Sequence, residues 1–238
     1  MKETIISNIQ AVHKRIKAAC DLAGRDVQDV QLLLATKTVP PEKIRIAIEA
    51  GENLIGENKV QEFRDKHEAL KDLRVERHFI GHLQTNKVKD VLKYVSCIQS
   101  LDRAPLAQEL DRHLQREGRH LDVFIQVNTS YEESKFGVRP EDVEALVETV
   151  QSYDTLRIKG LMTIGLLDVE VEKMRPSLKL LSVIRERLGM NHLQLSMGMS
   201  QDLEPAIAEG SNIVRVGTSI FGNRFSGKEI WNENEIIS

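Results

Sequence analysis

Cysteine is scarce: the 238 residues hold only Cys20 and Cys97, and no C-x-x-C pair. Two are too few for a disulfide framework, so both are read as reduced, packed side chains. Basic charge is not in excess. Lys and Arg number 33 against 36 Asp and Glu, a formal net charge of −3, which argues against a surface built to neutralise nucleic-acid phosphates. No stretch nears the roughly 20 apolar residues of a membrane span. Met1 to Gln10 is polar and amphipathic, with no basic region leading into an apolar run, so no signal peptide is read there. The expectation is a cytoplasmic protein with neither a membrane nor a nucleic-acid partner. No H-x-x-x-H pair carries a carboxylate between its histidines, and no metal site is expected. There is no G-x-S-x-G elbow, since Gly198-Met199-Ser200 lacks the second glycine. No phosphate loop of the G-x-x-x-x-G-K-[ST] type is present.

What is there is a short apolar run followed by an amphipathic helix, repeated along the chain. Residues 4–23 read as a leading helix, with Ile5, Ile9, Val12, Ile16 and Ala19 on one face. Strands are then predicted at Gln31–Thr36, Leu54–Gly56, His78–Ile80, Val95–Gln99, Leu121–Val127, Ile158–Met162, Leu193–Leu195 and Ile213–Val216. Helices follow: from Pro40-Pro41 to near Gly51, Lys59–Leu70, through Val88 and Leu92, Pro105–Gly118, after Pro140, about Val169 to Leu188, and Leu203–Glu209. Proline suits the first turn of such helices. Eight strand-then-helix units predict a closed (β/α)8 barrel with an added N-terminal helix, an open doubly wound sheet being the alternative. No linker or composition shift splits the chain, so residues 1–238 are expected to form one domain. The length is near the roughly 250 residues of such barrels and buries a core that needs no disulfide or metal staple.

In a barrel the chemistry sits at the C-terminal ends of the strands. The polar segments expected there are Thr36-Lys37-Thr38, Glu57-Asn58, Gly81-His82-Leu83-Gln84, Asn128-Thr129, Met162-Thr163, Ser196 to Ser200, and Gly217-Thr218. Lys37 ends the run Leu32-Leu33-Leu34-Ala35. Burial there lowers an ammonium's pKa and exposes a nucleophilic amine, the condition for a Schiff base. From this local pattern alone, a lysine snorkelling to solvent at a strand end is the more ordinary reading. After the last two strands, Gly198, Ser200, Gly217 and Thr218 suit a phosphate site of amides and hydroxyls, or else tight turns. Arg215 is read as a ligand-facing guanidinium or a flanking salt bridge, and His82 as an acid/base or a structural histidine.

Several segments together resemble the YggS/PROSC-type pyridoxal phosphate homeostasis proteins. They are Ala35-Thr36-Lys37-Thr38-Val39-Pro40, Ile55 to Glu62, His78 to Lys87, Val127-Asn128, Ser134 to Gly137, Gly160 to Thr163, Leu195 to Asp202 and Val214 to Gly222. They run in order over residues 31–224 and so cover most of the chain. The resemblance implies the fold-type III barrel of alanine racemase's first domain, with pyridoxal 5'-phosphate (PLP) as cofactor. By position, Lys37 would be the Schiff-base lysine. Ser200, Gly217 and Thr218 would hold the phosphate, with Ser196 and Gly198 nearby. Arg215 would face the pyridine nitrogen, and Asn58 the ring's phenolic oxygen. Thr36, Arg77 and the pair Gly165-Leu166 depart from the family's usual residues, the last pair replacing a proline-containing loop.

The resemblance implies PLP supply and amino-acid and keto-acid balance rather than a defined reaction. An Arg215 partner cannot take the ring nitrogen's proton, because guanidinium stays charged. Racemisation also needs a second acid/base, which in the racemase comes from another domain. The tail through Trp231 and Asn234 is too short for one, so the expectation is a monomeric carrier of PLP with no second β domain. PLP-dependent apoenzymes are its candidate recipients. The rivals are a PLP-dependent racemase using His82 or another mouth residue, and a colourless Schiff-base aldolase acting on a phosphosugar.

Overall fold

A computed structural model describes residues 1–166 and 170–222. Eight parallel strands close into a barrel in chain order: β1 (Gln31–Ala35), β2 (Leu54–Glu57), β3 (Glu76–Phe79), β4 (Cys97–Leu101), β5 (Leu121–Gln126), β6 (Leu156–Met162), β7 (Gln194–Ser196) and β8 (Ile213–Val216). The open-sheet alternative is excluded by the β1–β8 pairing, which runs from Gln31–Ile213 to Leu34–Val216.

Helix α1 (Lys2–Ala23) precedes the barrel. Between and after the strands come α2 (Pro41–Glu49), α3 (Val60–Leu70), α4 (Val88–Val91), α5 (Ala104–Glu117), α6 (Val143–Gln151), α7 (Val171–Arg187), α8 (Leu203–Ala208) and α9 (Thr218–Phe221). The expected order of elements is observed, with local shifts. β3 begins two residues early, because Glu76 and Arg77 pair with Leu54 and Ile55 despite their polarity. β4 begins two residues late, at the first residue that pairs with His78. The expected start of α7 at Val169, and the tail with Trp231 and Asn234, lie outside the described residues.

The apolar stripe of α1 is buried as its spacing predicts, and it packs against β1, β8 and helices α2, α8 and α9. The barrel lumen holds a separate cluster of Leu33, Leu54, Cys97, Phe124, Met162 and Ile213. Both cysteines are free and buried, and burial pushes the Cys97 thiol well up. No described helix is long and apolar enough to cross a membrane, and no described group of His, Cys, Asp and Glu is arranged to hold a metal.

The lumen is filled by matching large side chains to glycines. A Cβ on Gly160 would lie 2.2 Å from the Gln194 carbonyl oxygen and 2.4 Å from the Phe124 ring. We therefore expect Gly160→Ala to cost about 3 kcal/mol or more, at the upper end of overpacking penalties. Phe124→Ala should not rescue it, because the backbone clash remains. Urea unfolding of the single and double variants checks this, and a loss under about 1 kcal/mol, or full rescue, would count against the packing account.

Candidate functional site

The ends of β1, β7 and β8 enclose a cavity of about 440 Å³, within the size range of small-molecule sites. Its wall includes Lys37 and Lys43 from the β1 side, Ser200 from the loop after β7, and Arg215, Gly217, Thr218 and Ser219 from the β8 end. Of the residues expected to act together, Lys37, Ser200, Arg215, Gly217 and Thr218 thus share one cavity. Ser196 and Gly198 do not line it. Asn58 lines a second cavity of about 510 Å³, together with Lys59, Arg64, His82, Lys87 and Phe136.

Lys37 is half-buried. It occupies the second position of a four-residue turn, closed by Val39 N–H donating to the Thr36 carbonyl at 2.9 Å. The two glycines expected to approach a phosphate have structural duties as well. Gly198 has φ +94°, and a Cβ there would sit 2.5 Å from Ala206 Cβ; a Cβ on Gly217 would sit 2.7 Å from the Ala35 carbonyl oxygen. The loop after β7 is held from within by Asp202, whose Oδ1 accepts from Met199 N–H at 2.6 Å. It is held from outside by α1, where Arg15 donates to the Ser200 carbonyl at 3.0 Å and pairs with Glu204; Asn8 of the same helix donates to the Ile220 carbonyl of α9 at 2.9 Å.

Arg215 is 6% exposed, so the salt bridge on a strand flank is not what it forms. Its Nη1 donates to Ser196 Oγ at 2.8 Å and its Nη2 to the Thr163 carbonyl at 2.7 Å. Burial brings the guanidinium down to about 10, against the opposing pull of Asp202. Ser196 passes the hydrogen bond on to Gln99 Oε1 at 2.6 Å, and the Gln99 amide meets His78 Nδ1 at 2.8 Å. With Gln99 Nε2 as donor, His78 Nδ1 is the acceptor. A buried polar chain therefore crosses the lumen beneath the cavity. Gln99 and His78 were not among the expected site residues, and Thr163 was expected only as a polar residue at the end of its strand. The available signal was a polar side chain inside an apolar strand, as at Cys97-Ile98-Gln99.

His82 stacks on Phe136, with centroids 3.7 Å apart and planes 13° from parallel. Its Nδ1 is 3.6 Å from Asp102 Oδ2, too long for a hydrogen bond, and is buried without a partner. Lys135 is tied to the Gly165 carbonyl at 2.8 Å and to Glu132.

Removing Ser196 Oγ leaves a buried guanidinium N–H without its acceptor. We expect Ser196→Ala to cost about 1.5–3 kcal/mol in urea unfolding, the range for hydrogen bonds to charged groups. A neutral outcome would mean that another acceptor replaces the hydroxyl.

Comparison with known proteins bears on this geometry. Residues 8–224 match the family model described as alanine racemase, N-terminal domain. A pyridoxal phosphate homeostasis protein of Aquifex aeolicus is 46% identical over 220 residues, which is 91% of this chain and 96% of that protein. The solved structure of PipY from Synechococcus elongatus PCC7942, with PLP bound, is similar at a TM-score of 0.75 and 31% identity, covering 89% of this chain and 100% of that one. An alanine racemase of Clostridium difficile superposes at a TM-score of 0.74 with 14% identity over 94% of this chain and 58% of its own, a likeness of fold alone.

Proposed function

The chain belongs to the alanine racemase N-terminal domain family, and within it to the pyridoxal phosphate homeostasis proteins, and from that premise we propose that it binds PLP as a Schiff base on Lys37 and carries or regulates this cofactor. The observation that carries the reading is the convergence of Lys37, Ser200, Arg215, Gly217 and Thr218 on one cavity. The donor set fits the group. An aldehyde calls for an amine, a phosphate for hydroxyls and backbone amides, and a pyridine nitrogen for a hydrogen-bond donor. Lys37 supplies the first, Ser200 with Gly217 and Thr218 the second, and Arg215 the third.

When bound, the cofactor supplies an electron sink for amino groups, and the protein tunes it. Arg215 tunes it downward. With its pKa near 10 it is charged at neutral pH, so it would donate to the ring nitrogen and take no proton from it. Among the described residues the cavity wall has no histidine or tyrosine, and Asp202 is its one carboxylate. His82, the first choice for a second base, lines the other cavity. A site that holds an aldehyde without a matched acid/base pair forgoes the roughly 10²–10⁴-fold that such groups supply. It suits binding and release better than turnover. On this reading the protein is a cytoplasmic monomer formed by one barrel domain. It serves vitamin B6 supply and amino-acid and keto-acid balance, with PLP-dependent apoenzymes as recipients.

Purified protein incubated with PLP is expected to turn yellow, to lose the imine absorbance in Lys37→Ala, and to carry the cofactor on the Lys37 peptide after borohydride reduction. A protein that stays colourless would refute the Schiff base and favour the phosphosugar aldolase.

The phosphate contacts are expected to make pyridoxal bind at least about tenfold more weakly than PLP, since each hydrogen bond to a charged group is worth about 1.5–3 kcal/mol. Equal affinities would reduce the Ser200 and Thr218 loops to turns. Incubation with L-alanine should give neither D-alanine nor keto acid at enzyme rates; turnover abolished by Lys37→Ala would establish the racemase reading instead.

A further inference from the structure

The turn that presents Lys37 is held in an unfavourable shape by groups that no part of the binding reading uses. Its third residue, Thr38, has φ +61°. That is where a turn with a left-handed third residue favours glycine, and a β-branched residue avoids such a conformation. Thr36, the first residue, is pinned at every polar atom. Its N–H donates to the Gly56 carbonyl at 3.0 Å, and its hydroxyl to Glu57 Oε1 at 2.7 Å. Its carbonyl accepts from both Val39 N–H and Lys66 Nζ, the latter at 2.8 Å. Thr38 N–H donates to Glu62 Oε2 at 3.3 Å.

The hub of these contacts is Lys66, which sits on α3 and is 8% exposed. An ammonium has three N–H donors. Lys66 donates to the Thr36 carbonyl and to Glu57 Oε1, each at 2.8 Å, and forms an ion pair with Glu62 Oε2 at 2.6 Å. Glu57 ends β2 and is 1% exposed, and its second oxygen has no partner. A buried ion set with an unmatched oxygen is a poor device for stability, since desolvation offsets the attraction. It is a good device for fixing geometry. We propose that Lys66, with Glu57 and Glu62, is the positioning unit that keeps the Thr36–Val39 turn strained and so directs the Lys37 amine into the cavity. This rests on the PLP reading for its purpose, but not for its geometry.

The test compares wild type with Lys66→Met, Thr38→Gly and the double variant. Two ligands are used: PLP, and pyridoxamine 5'-phosphate, which has the same ring and phosphate but no aldehyde. Lys66→Met is expected to slow imine formation at least tenfold while changing pyridoxamine 5'-phosphate affinity less than twofold. Thr38→Gly, which removes the conformational penalty, should restore much of the lost rate in the Lys66→Met background. Equal losses for both ligands would mean a merely structural role, and no change in either would mean no role; each overturns the proposal.

A second readout needs no ligand. Exchange of the Val39 amide, followed by NMR, should quicken at least tenfold in Lys66→Met while the Leu33 amide in β1 keeps its protection. Unchanged Val39 exchange refutes the positioning unit even if PLP binds. Wild-type protein that binds neither compound refutes the PLP reading, and the exchange result then decides the positioning claim alone.

Discussion

The four backbone pairs that join β1 to β8, from Gln31–Ile213 to Leu34–Val216, are what the site depends on. They place Lys37 beside Gly217 and Thr218, which are some 180 residues away in sequence. The approach is close: the Ala35 carbonyl leaves no room for a side chain at Gly217. An open sheet of the same strands would leave β1 and β8 at opposite edges, with the amine and the hydroxyl loops on different sides of the molecule. Closure removes both edges and assembles the cavity in the same step.

Closure also creates a lumen, and this one is not wholly apolar. Arg215 enters it at the top and begins a hydrogen-bond chain that runs through Ser196 and Gln99 to His78. Burying a guanidinium is costly unless its N–H groups are satisfied, and the downward shift toward 10 records that cost. The cation is nonetheless kept at the cavity wall. In the proposed PLP complex that fixed charge would face the ring nitrogen. The same placement limits the chemistry, because a permanent donor cannot serve as a proton acceptor.

The elements around the barrel act as braces for the site. Helix α1 is the clearest case. Its apolar stripe packs on the barrel, while Asn8 and Arg15 reach the carbonyls of Ile220 and Ser200. The added helix therefore holds both hydroxyl-bearing loops, and α3 does the same for the Lys37 turn through Lys66. One end of the site is fixed by part-buried side-chain donors on backbone carbonyls, the other by a buried ion set. The two ends differ accordingly in how their geometry would respond to substitution.

The order of strands and helices, the added helix and the strand-end residues Lys37, Ser200, Arg215, Gly217 and Thr218 were legible in the sequence alone. Periodicity is a local property, and a polar residue after an apolar run marks a strand end wherever the strand goes. Boundaries were less legible: β3 and β4 shifted by two residues because pairing partners, not apolarity, decide where a strand begins. The sequence could not separate Lys37 at a cavity from a snorkelling lysine, or Arg215 in the lumen from a flanking salt bridge. Those choices turn on burial and on partners far along the chain. Asn58 and His82 stand at strand ends as expected, yet they line the other cavity. Lys66 reads as one more charge on an amphipathic helix until the fold lays it against Thr36 and Glu57. What a strand end contains is written locally, and the count of eight units already pointed to a closed barrel; which side chains closure brings face to face rests on long-range contacts that no local pattern encodes.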